Sequence, residues 1–357
     1  MRRHRRLVTA LAGAALLIPA VAACGSEEQD TADDNGSAEQ ADEAGEGSEL
    51  LIYSGRNEEL VAPLIDRLEE ATGLEVTVRY GDSAELAAQL LEEGERTPAG
   101  LFLSQDAGAL GALAKEGLLE QLPESALEEV DPAFRASNGE WVGVSGRARV
   151  LVYDPEQVEE SELPDSVHEL TEPQWKDKVG YAPANASFQA FVTGMRILEG
   201  DDATRQWLTD LQENGARQYD KNGPILDAAQ SGEIAVGLVN HYYWYERTDE
   251  FGEESVSTRL HYLPGGDPGA LINVAGIGVL AHGGQSAEAQ EAVEFFLSEE
   301  AQSYFAEETK EYPLAAGVVS PEENLPPLES LEAPEIDLTD LDSLQQTLEM
   351  LQEVGMV

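Results

Sequence analysis

Two adjacent tyrosines, Tyr242 and Tyr243, are the residues of this sequence whose spacing points most directly to a particular chemistry. A phenolate is a hard oxygen donor, which suits a hard and highly charged metal ion. A free phenol has a pKa near 10, so it gives up its proton only to a strong Lewis acid or cation. An isolated tyrosine pair is equally compatible with an aromatic cluster in a core. The surrounding elements must therefore decide between a metal site and a packing role.

The tyrosines follow an apolar run at 234–239, whose β-branched, uncharged residues predict a buried central strand. Asn240 comes next and is predicted to be the N-cap of a helix that carries the tyrosines. Ligands of open α/β sheets gather at this end of a strand. Neighbours in a first helical turn point only about 100° apart, so both phenol oxygens can reach one cleft.

Length and charge limit the class of protein. A chain of 357 residues has room for about two domains. Its net charge of -49 argues against nucleic acid or an anionic membrane surface as a partner, because both require a basic surface. The acidic residues are spread along the chain, which favours a solvated surface over an acidic interaction tail.

The first 23 residues read as an export signal, with four arginines followed by an apolar stretch. The end of that stretch, Val21-Ala22-Ala23-Cys24, resembles a bacterial lipobox. The resemblance implies that Cys24 is lipidated and anchors the mature protein at the outer face of the cell membrane. An uncleaved membrane helix is the alternative, but the stretch is short for one. Residues 24–48 form an acidic tether without aromatic or branched apolar residues, so they cannot bury enough surface to fold.

Strands and helices alternate from residue 49 onward, which is typical of a doubly wound α/β fold. The first series predicts a strand and turn at 50–57, strands at 74–80 and 100–103, and helices at 58–71, 83–93 and 108–115. A crossover strand at 141–153 leads to strands at 179–182 and 234–239 and helices at 188–198, 203–214 and 225–231. A return strand at 273–281 and helices at 287–297, 299–307 and 343–354 complete the prediction.

Six short segments in collinear order carry a family likeness that extends from about residue 50 to the C-terminus. Together they resemble the bacterial ferric-ion-binding proteins, the periplasmic solute-binding components of iron(III) ABC transporters. The segments are Tyr53-Ser54-Gly55-Arg56, 94–99, Ser145-Gly146-Arg147-Ala148-Arg149, Pro173-Gln174-Trp175-Lys176, 240–244 and Asp267-Pro268-Gly269-Ala270.

The resemblance implies a two-lobed periplasmic-binding-protein fold of type II, with an interlobe hinge and a ligand cleft. The chain would cross between lobes near Arg147 and again near Asn273. The N-terminal lobe is then expected at 49–147 plus 273–323, and the C-terminal lobe at 148–272 plus 324–357.

Carried over residue by residue, the family's paired tyrosine ligands fall on Tyr242 and Tyr243. Its contacts to a synergistic anion, carbonate or phosphate, fall on Asn240, Asn222 and the turn Asn185-Ala186-Ser187. That turn opens a predicted helix, whose free backbone N–H groups can hold an anion. Ordinary helix capping is the alternative role for the three asparagines.

Two arginines in the crossover strand, Arg147 and Arg149, either balance anionic ligands across the cleft or pair with surface acids. His241 adjoins the tyrosines but is expected to point away from them and to be structural.

The sequence departs from a well-known branch of the family at two ligand positions. Asn57 stands where that branch has a histidine, and Gln105 stands where it has a glutamate. Neither amide is a good ferric ligand. Asp106 is a candidate replacement carboxylate, and Arg56 is a candidate anion contact, although both are also plausible as ordinary loop residues.

These observations lead to a lipid-anchored, monomeric receptor that captures Fe(III) with an anion and delivers it to the permease and ATPase of an ABC transporter. It would perform no covalent chemistry and would touch the membrane only through its lipid anchor. A receptor of the same fold for an organic cation, an organophosphate or chelated iron is the first alternative. A tethered metalloenzyme is the second, and the sequence lacks the nucleophile-elbow, zincin-helix and phosphate-loop motifs such an enzyme would show.

Overall fold

The computed structural model of the chain describes residues 48–315, 317–322 and 324–357. The predicted signal segment, Cys24 and the tether up to residue 47 lie outside this range. The described residues alternate between strands and helices, as the sequence predicts. In this part of the chain no helix is both long and apolar enough to cross a membrane.

The strands are β1 (Glu49–Ser54), β2 (Glu75–Tyr80), β3 (Leu101–Ser104), β4 (Val142–Tyr153), β5 (Val179–Tyr181), β6 (Arg217–Gln218), β7 (Val236–Asn240), β8 (Arg259–His261), β9 (Ile272–Val279) and β10 (Tyr312–Pro313). The α-helices are α1 (Glu58–Thr72), α2 (Ser83–Glu93), α3 (Ala107–Lys115), α4 (Glu124–Glu128), α5 (Ala186–Glu199), α6 (Asp201–Glu213), α7 (Asn222–Gln230), α8 (Tyr242–Phe251), α9 (Ser286–Phe296), α10 (Glu299–Glu308) and α11 (Leu344–Glu353). Short 3-10 turns lie between several of them.

One mixed sheet contains these strands in the order β2-β1-β3-β9-β4-β7-β5-β6, and β8 and β10 also pair with β4. The long strand β4 joins two halves of the sheet. Its segment Val142–Ala148 pairs with β9, and its segment Arg149–Tyr153 pairs with β7. We call β1, β2, β3, β9, β10 and the start of β4 the first sheet half, and β5 to β8 with the end of β4 the second sheet half.

The two predicted crossing points are direct neighbours in this sheet, because Arg147 of β4 pairs with Asn273 of β9. The lobe boundaries themselves stay a prediction. Each sheet half has its own buried aromatic residues. Those of the first half include Phe102, Trp141 and Phe296, and those of the second include Phe188 and Phe191.

Helix α1 shows how the sequence specifies the elements around the first strand. Its buried residues, Val61, Leu64, Ile65 and Leu68, follow helical spacing, and the last three belong to the hydrophobic core of the first sheet half. Asn57 caps its N-terminus, and Gly73, at a φ of 73°, ends it in the left-handed conformation that glycine adopts at low cost.

The C-terminal segment contacts both sheet halves. Leu338 and Leu341 belong to the hydrophobic core of the first sheet half, where the segment lies against α3. This close approach requires glycine in α3, since a Cβ at Gly111 would lie 2.2 Å from the Thr339 carbonyl oxygen. Helix α11 packs instead on α5 of the second half, where the Thr193 and Thr347 hydroxyls lie 2.7 Å apart.

Candidate metal-binding site

The tyrosine pair lies where the sequence predicts it, between a buried strand and a helix. All five residues of β7 are buried, and Tyr242 and Tyr243 are the first two residues of α8. Their rings stack with centroids 4.3 Å apart and planes inclined by 27°. Both side chains line one cavity. Two phenols therefore face the same space.

Asn240 is not the N-cap of α8, and the prediction that it is was wrong. Asn240 is the last residue of β7 and pairs with Arg149 of β4, so the strand continues one residue further than the apolar run. His241 occupies the N-cap position, and its side chain makes no capping hydrogen bond. The Asn240 side chain instead accepts a hydrogen bond from Arg149 Nη1 at 3.4 Å.

His241 has contacts that support a structural role. Its Nδ1 accepts a hydrogen bond from the backbone N–H of Ala148 at 3.1 Å, and its ring lies on that of Tyr312 with centroids 4.7 Å apart. Burial lowers the pKa of His241 to about 4, so the neutral imidazole is the form that the fold holds.

The start of α5 forms a polar corner next to the tyrosines. Asn185 caps the helix, and its Oδ1 accepts from the Ser187 backbone N–H at 3.0 Å and from the Ser187 hydroxyl at 2.6 Å. Asn222 is the first residue of α7, and its Nδ2 donates to the Ser187 hydroxyl at 3.2 Å. Its buried Oδ1 has no partner among the described residues. Of the residues predicted to contact an anion, Asn185 and Ala186 line the tyrosine cavity, Ser187 and Asn240 line a smaller neighbouring pocket, and Asn222 is fully buried. Their role as anion contacts stays a prediction.

Arg149 is a buried cation at this corner. Its Nη1 donates to the Ser187 hydroxyl at 3.1 Å, and its Nη2 donates to the Leu238 carbonyl at 3.1 Å. In the described residues neither Arg149 nor Arg147 forms an ion pair with a carboxylate. This argues against the alternative that the two arginines pair with surface acids. Burial lowers the pKa of Arg149 to about 9, and negative charge on either phenol would oppose that decrease. An anion bound beside Arg149 would also oppose that decrease, because its negative charge favours the charged guanidinium.

The opposite wall comes from the first sheet half, and two of its charged residues already form a buried ion pair. Arg56 Nη2 donates to both carboxylate oxygens of Glu311, at 3.0 and 3.1 Å, and both side chains are almost fully buried. The Ser145 hydroxyl also donates to Glu311. Burial alone would raise the pKa of Glu311, but the positive charges of Arg56 and Arg147 outweigh it and hold the pKa below its usual value.

The two amide residues at the family's ligand positions both line the cavity. Asn57 is exposed and uses its Oδ1 to cap α1, accepting from the Glu59 backbone N–H at 3.0 Å. The backbone carbonyl of Gln105 accepts a hydrogen bond from Arg147 Nη2. Both residues lie at the cavity without offering an anionic oxygen.

Asp106 lies beside a smaller, more enclosed pocket that also contains Arg147 and Arg149, and it does not line the tyrosine cavity. Its carboxylate caps α3, accepting from the Ala109 backbone N–H at 3.0 Å. Burial raises the pKa of Asp106, and its cap hydrogen bonds and Arg147 oppose the increase. Its role as a metal ligand stays a prediction.

The cavity has a volume of about 530 Å³ and brings together residues from both sheet halves. The four acidic residues of its lining, Glu59, Asp220, Glu246 and Glu311, are absent from the sequence-based prediction, and Glu246 and Glu311 are the two that are not exposed. Glu246 follows Tyr242 by four residues, and that helical spacing is a signal that could have identified it. Glu311 pairs with a residue 255 positions away, which no local pattern reveals.

Burial and the neighbouring Tyr243 hold the pKa of Tyr242 well above its usual value, and Arg147 opposes them. The phenol is therefore protonated until a cation displaces its proton.

Comparison with known proteins agrees with this geometry. The family model described as bacterial extracellular solute-binding protein matches residues 97–337. The major ferric iron-binding protein of Neisseria meningitidis is 37% identical over 311 residues, which cover 87% of this chain and 93% of that protein.

Two solved structures are also similar. Iron-bound HitA from Pseudomonas aeruginosa superposes with a TM-score of 0.78 at 34% identity, covering 86% of this chain and 99% of that chain. Trichodesmium IdiA (FutA) in complex with iron and citrate superposes with a TM-score of 0.76 at 25% identity, covering 87% and 100%.

The chain belongs to the bacterial extracellular solute-binding proteins and has the type II periplasmic-binding-protein fold that the resemblance implied. Within that family it is a member of the ferric-ion-binding proteins, which are binding proteins and not enzymes.

Proposed function

We propose that this protein is an extracytoplasmic receptor that captures ferric iron and delivers it to the permease and ATPase of an ABC transporter. The observation that carries the proposal is the stacked pair Tyr242 and Tyr243 at the wall of one cavity. Two phenolates provide hard, anionic oxygens suited to a trivalent ion, and a strong Lewis acid is what displaces their protons. The ferric-iron names of the relatives support the same cargo.

A synergistic anion, carbonate or phosphate, completes the proposed site. The positive end of the α5 dipole and the charge of Arg149, which no carboxylate of the described residues compensates, favour an anion at the polar corner. An anion there would stabilise Arg149 and occupy iron positions that the protein leaves open. Citrate in one similar structure shows that a carboxylate anion accompanies iron in that relative.

Chelated iron is a second candidate cargo. The cavity of about 530 Å³ exceeds the size of a bare ferric ion, and Arg56, Arg147 and Lys221 on its lining could contact a polyanionic chelator. An organic cation or an organophosphate remains the alternative if no form of iron binds.

The test is a visible spectrum and an iron titration of the purified protein. We expect one iron per chain and a red-brown or violet phenolate-to-iron charge-transfer band. Tyr242→Phe with Tyr243→Phe should remove the band and the binding while leaving the fold intact, because each change deletes only a hydroxyl. Phe251, exposed at the end of α8, offers the matched control Phe251→Tyr, which should change neither. An unchanged spectrum in the double variant would exclude the tyrosines as ligands.

The lipid anchor and the monomeric state belong to the same proposal. Cys24 lies outside the described residues, and the lipobox-like sequence before it supports its lipidation. Fatty-acid labelling should be lost in Cys24→Ala, and labelling that persists would contradict the anchor. Light scattering of the purified protein should give the mass of one chain.

A further inference from the structure

Glu246 lies one helical turn after the tyrosine pair on α8. It follows Tyr243 by three residues and Tyr242 by four, and these spacings place side chains on the same face of a helix. Glu246 lines the same cavity as both tyrosines. Its carboxylate is therefore on the wall that presents the phenols.

The other carboxylates of the cavity are either exposed or already paired. Glu59 and Asp220 are exposed, and Glu311 is bonded to Arg56 and Ser145. Glu246 is half-buried, and it forms no hydrogen bond or ion pair with the residues that the structure describes. It is the carboxylate of this lining that is both shielded from water and free to bind a cation.

The cation near Glu246 is already committed to other acids. Lys310 Nζ lies 2.5 Å from Asp249 and 2.8 Å from Glu322. Burial, followed by the charge of Glu311, raises the pKa of Glu246 to about 7, and Lys310 only partly opposes this. A cation in the cavity would supply the missing compensation.

We propose that Glu246 is a further iron-binding residue, whose carboxylate joins the two phenolates around the ferric ion. Two phenolates and one carboxylate carry three negative charges, which together neutralise a trivalent ion. Glu246 would thus supply from α8 the carboxylate that Gln105 does not supply from the first sheet half. This inference rests on the proposed function.

The test compares Glu246→Gln with Glu250→Gln, an exposed glutamate on the same helix. In competition with citrate at pH 7.5, Glu246→Gln should lower iron affinity about tenfold or more, whereas Glu250→Gln should change it less than about twofold. The charge-transfer band should persist in Glu246→Gln but shift, because the phenolates stay while a ligand beside them changes. Glu246→Asp should recover part of the affinity.

Stability of the iron-free protein separates a ligand from a structural residue. Removing an uncompensated carboxylate should leave the unfolding midpoint of Glu246→Gln equal to that of the parent or raise it, as expected for a residue kept for function. Unchanged affinity and an unshifted band would overturn the inference, whatever the midpoint, and leave the proposed function standing. Absence of iron binding and of the band in the parent protein would instead refute the proposed function.

Discussion

The two walls of the cavity contain similar numbers of polar groups but differ in how many are already satisfied. On the second-half wall, the two phenols face the cavity and Glu246 forms no ion pair with the described residues, and Arg149 at the neighbouring polar corner has no carboxylate partner among them. On the first-half wall, Arg56 and Glu311 neutralise each other. On the proposed function, the second-half wall would be the binding surface, whereas the Arg56–Glu311 pair would make the first-half wall a preassembled electrostatic boundary.

If the proposed function holds, this difference predicts the order in which the two walls engage iron and its anion. Iron and its anion would bind the second-half wall first, because its groups gain partners and lose none. The first-half wall would then contribute the field of Arg147, which opposes the high pKa of Tyr242 and so stabilises its phenolate. Little rearrangement of the Arg56–Glu311 pair would be needed.

The largest effect we expect is the loss of iron affinity with acid. The pKa of Tyr242 is raised, so its phenol is protonated in the iron-free protein at neutral pH and each loaded phenol must release a proton. Affinity should fall by about one decade per pH unit for each phenol displaced, or about 10⁴-fold from pH 7.5 to 5.5 for two. Iron titrations at several pH values and proton release in weak buffer measure this. A pH-independent affinity would mean that the second-half wall does not bind iron through phenolates.

A second prediction asks whether the first-half wall is structural. Glu311→Gln breaks a buried ion pair and leaves Arg56 unpaired, which should cost about 3 kcal/mol of unfolding free energy. Iron affinity should fall less than tenfold, because Glu311 is not expected to bind iron. Denaturant unfolding and the citrate competition measure the two effects.

The control for that variant is Glu300→Gln, which removes an exposed pair with Arg67 at 4.0 Å. This change should alter stability by less than about 1 kcal/mol. If Glu311→Gln instead abolished iron binding with a small loss of stability, Glu311 would be a ligand and the contrast between the walls would fail.

The contrast also explains what the sequence could and could not predict. The tyrosine pair was predictable because one strand end positions both residues, and α1 was predictable because Asn57, its apolar spacing and Gly73 are local signals. The wrong cap assignment for Asn240 arose because pairing with β4 extends the strand, a tertiary effect. The Arg56–Glu311 pair depends on packing between distant segments, so this ion pair could not be predicted from the sequence.

The smallest effect we expect comes from adding ligands to the first-half wall. Asn57 and Gln105 both line the cavity, so Asn57→His with Gln105→Glu would place an imidazole and a carboxylate there. In carbonate-free and phosphate-free buffer the unmodified protein should bind iron at least about tenfold more weakly than with anion, a cost of about 1.4 kcal/mol per decade. The double variant should recover about tenfold under that condition, because protein ligands replace the anion, and it should depend less on added carbonate or phosphate.

The matched control for the double variant is Asn57→Ala with Gln105→Ala, because Asn57 also caps α1. Loss of that cap should cost both variants about 1 kcal/mol of stability, so the difference in iron affinity between them isolates the added ligands. Competition against citrate, with and without added carbonate or phosphate, gives the four affinities required, each extrapolated to zero citrate because citrate is itself an anion. Equal affinities of the two variants in carbonate-free and phosphate-free buffer would show that residues 57 and 105 of the first-half wall do not bind the ion. Binding by the unmodified protein that is independent of anion would mean that protein groups already fill the shell, with Glu246 the first to test.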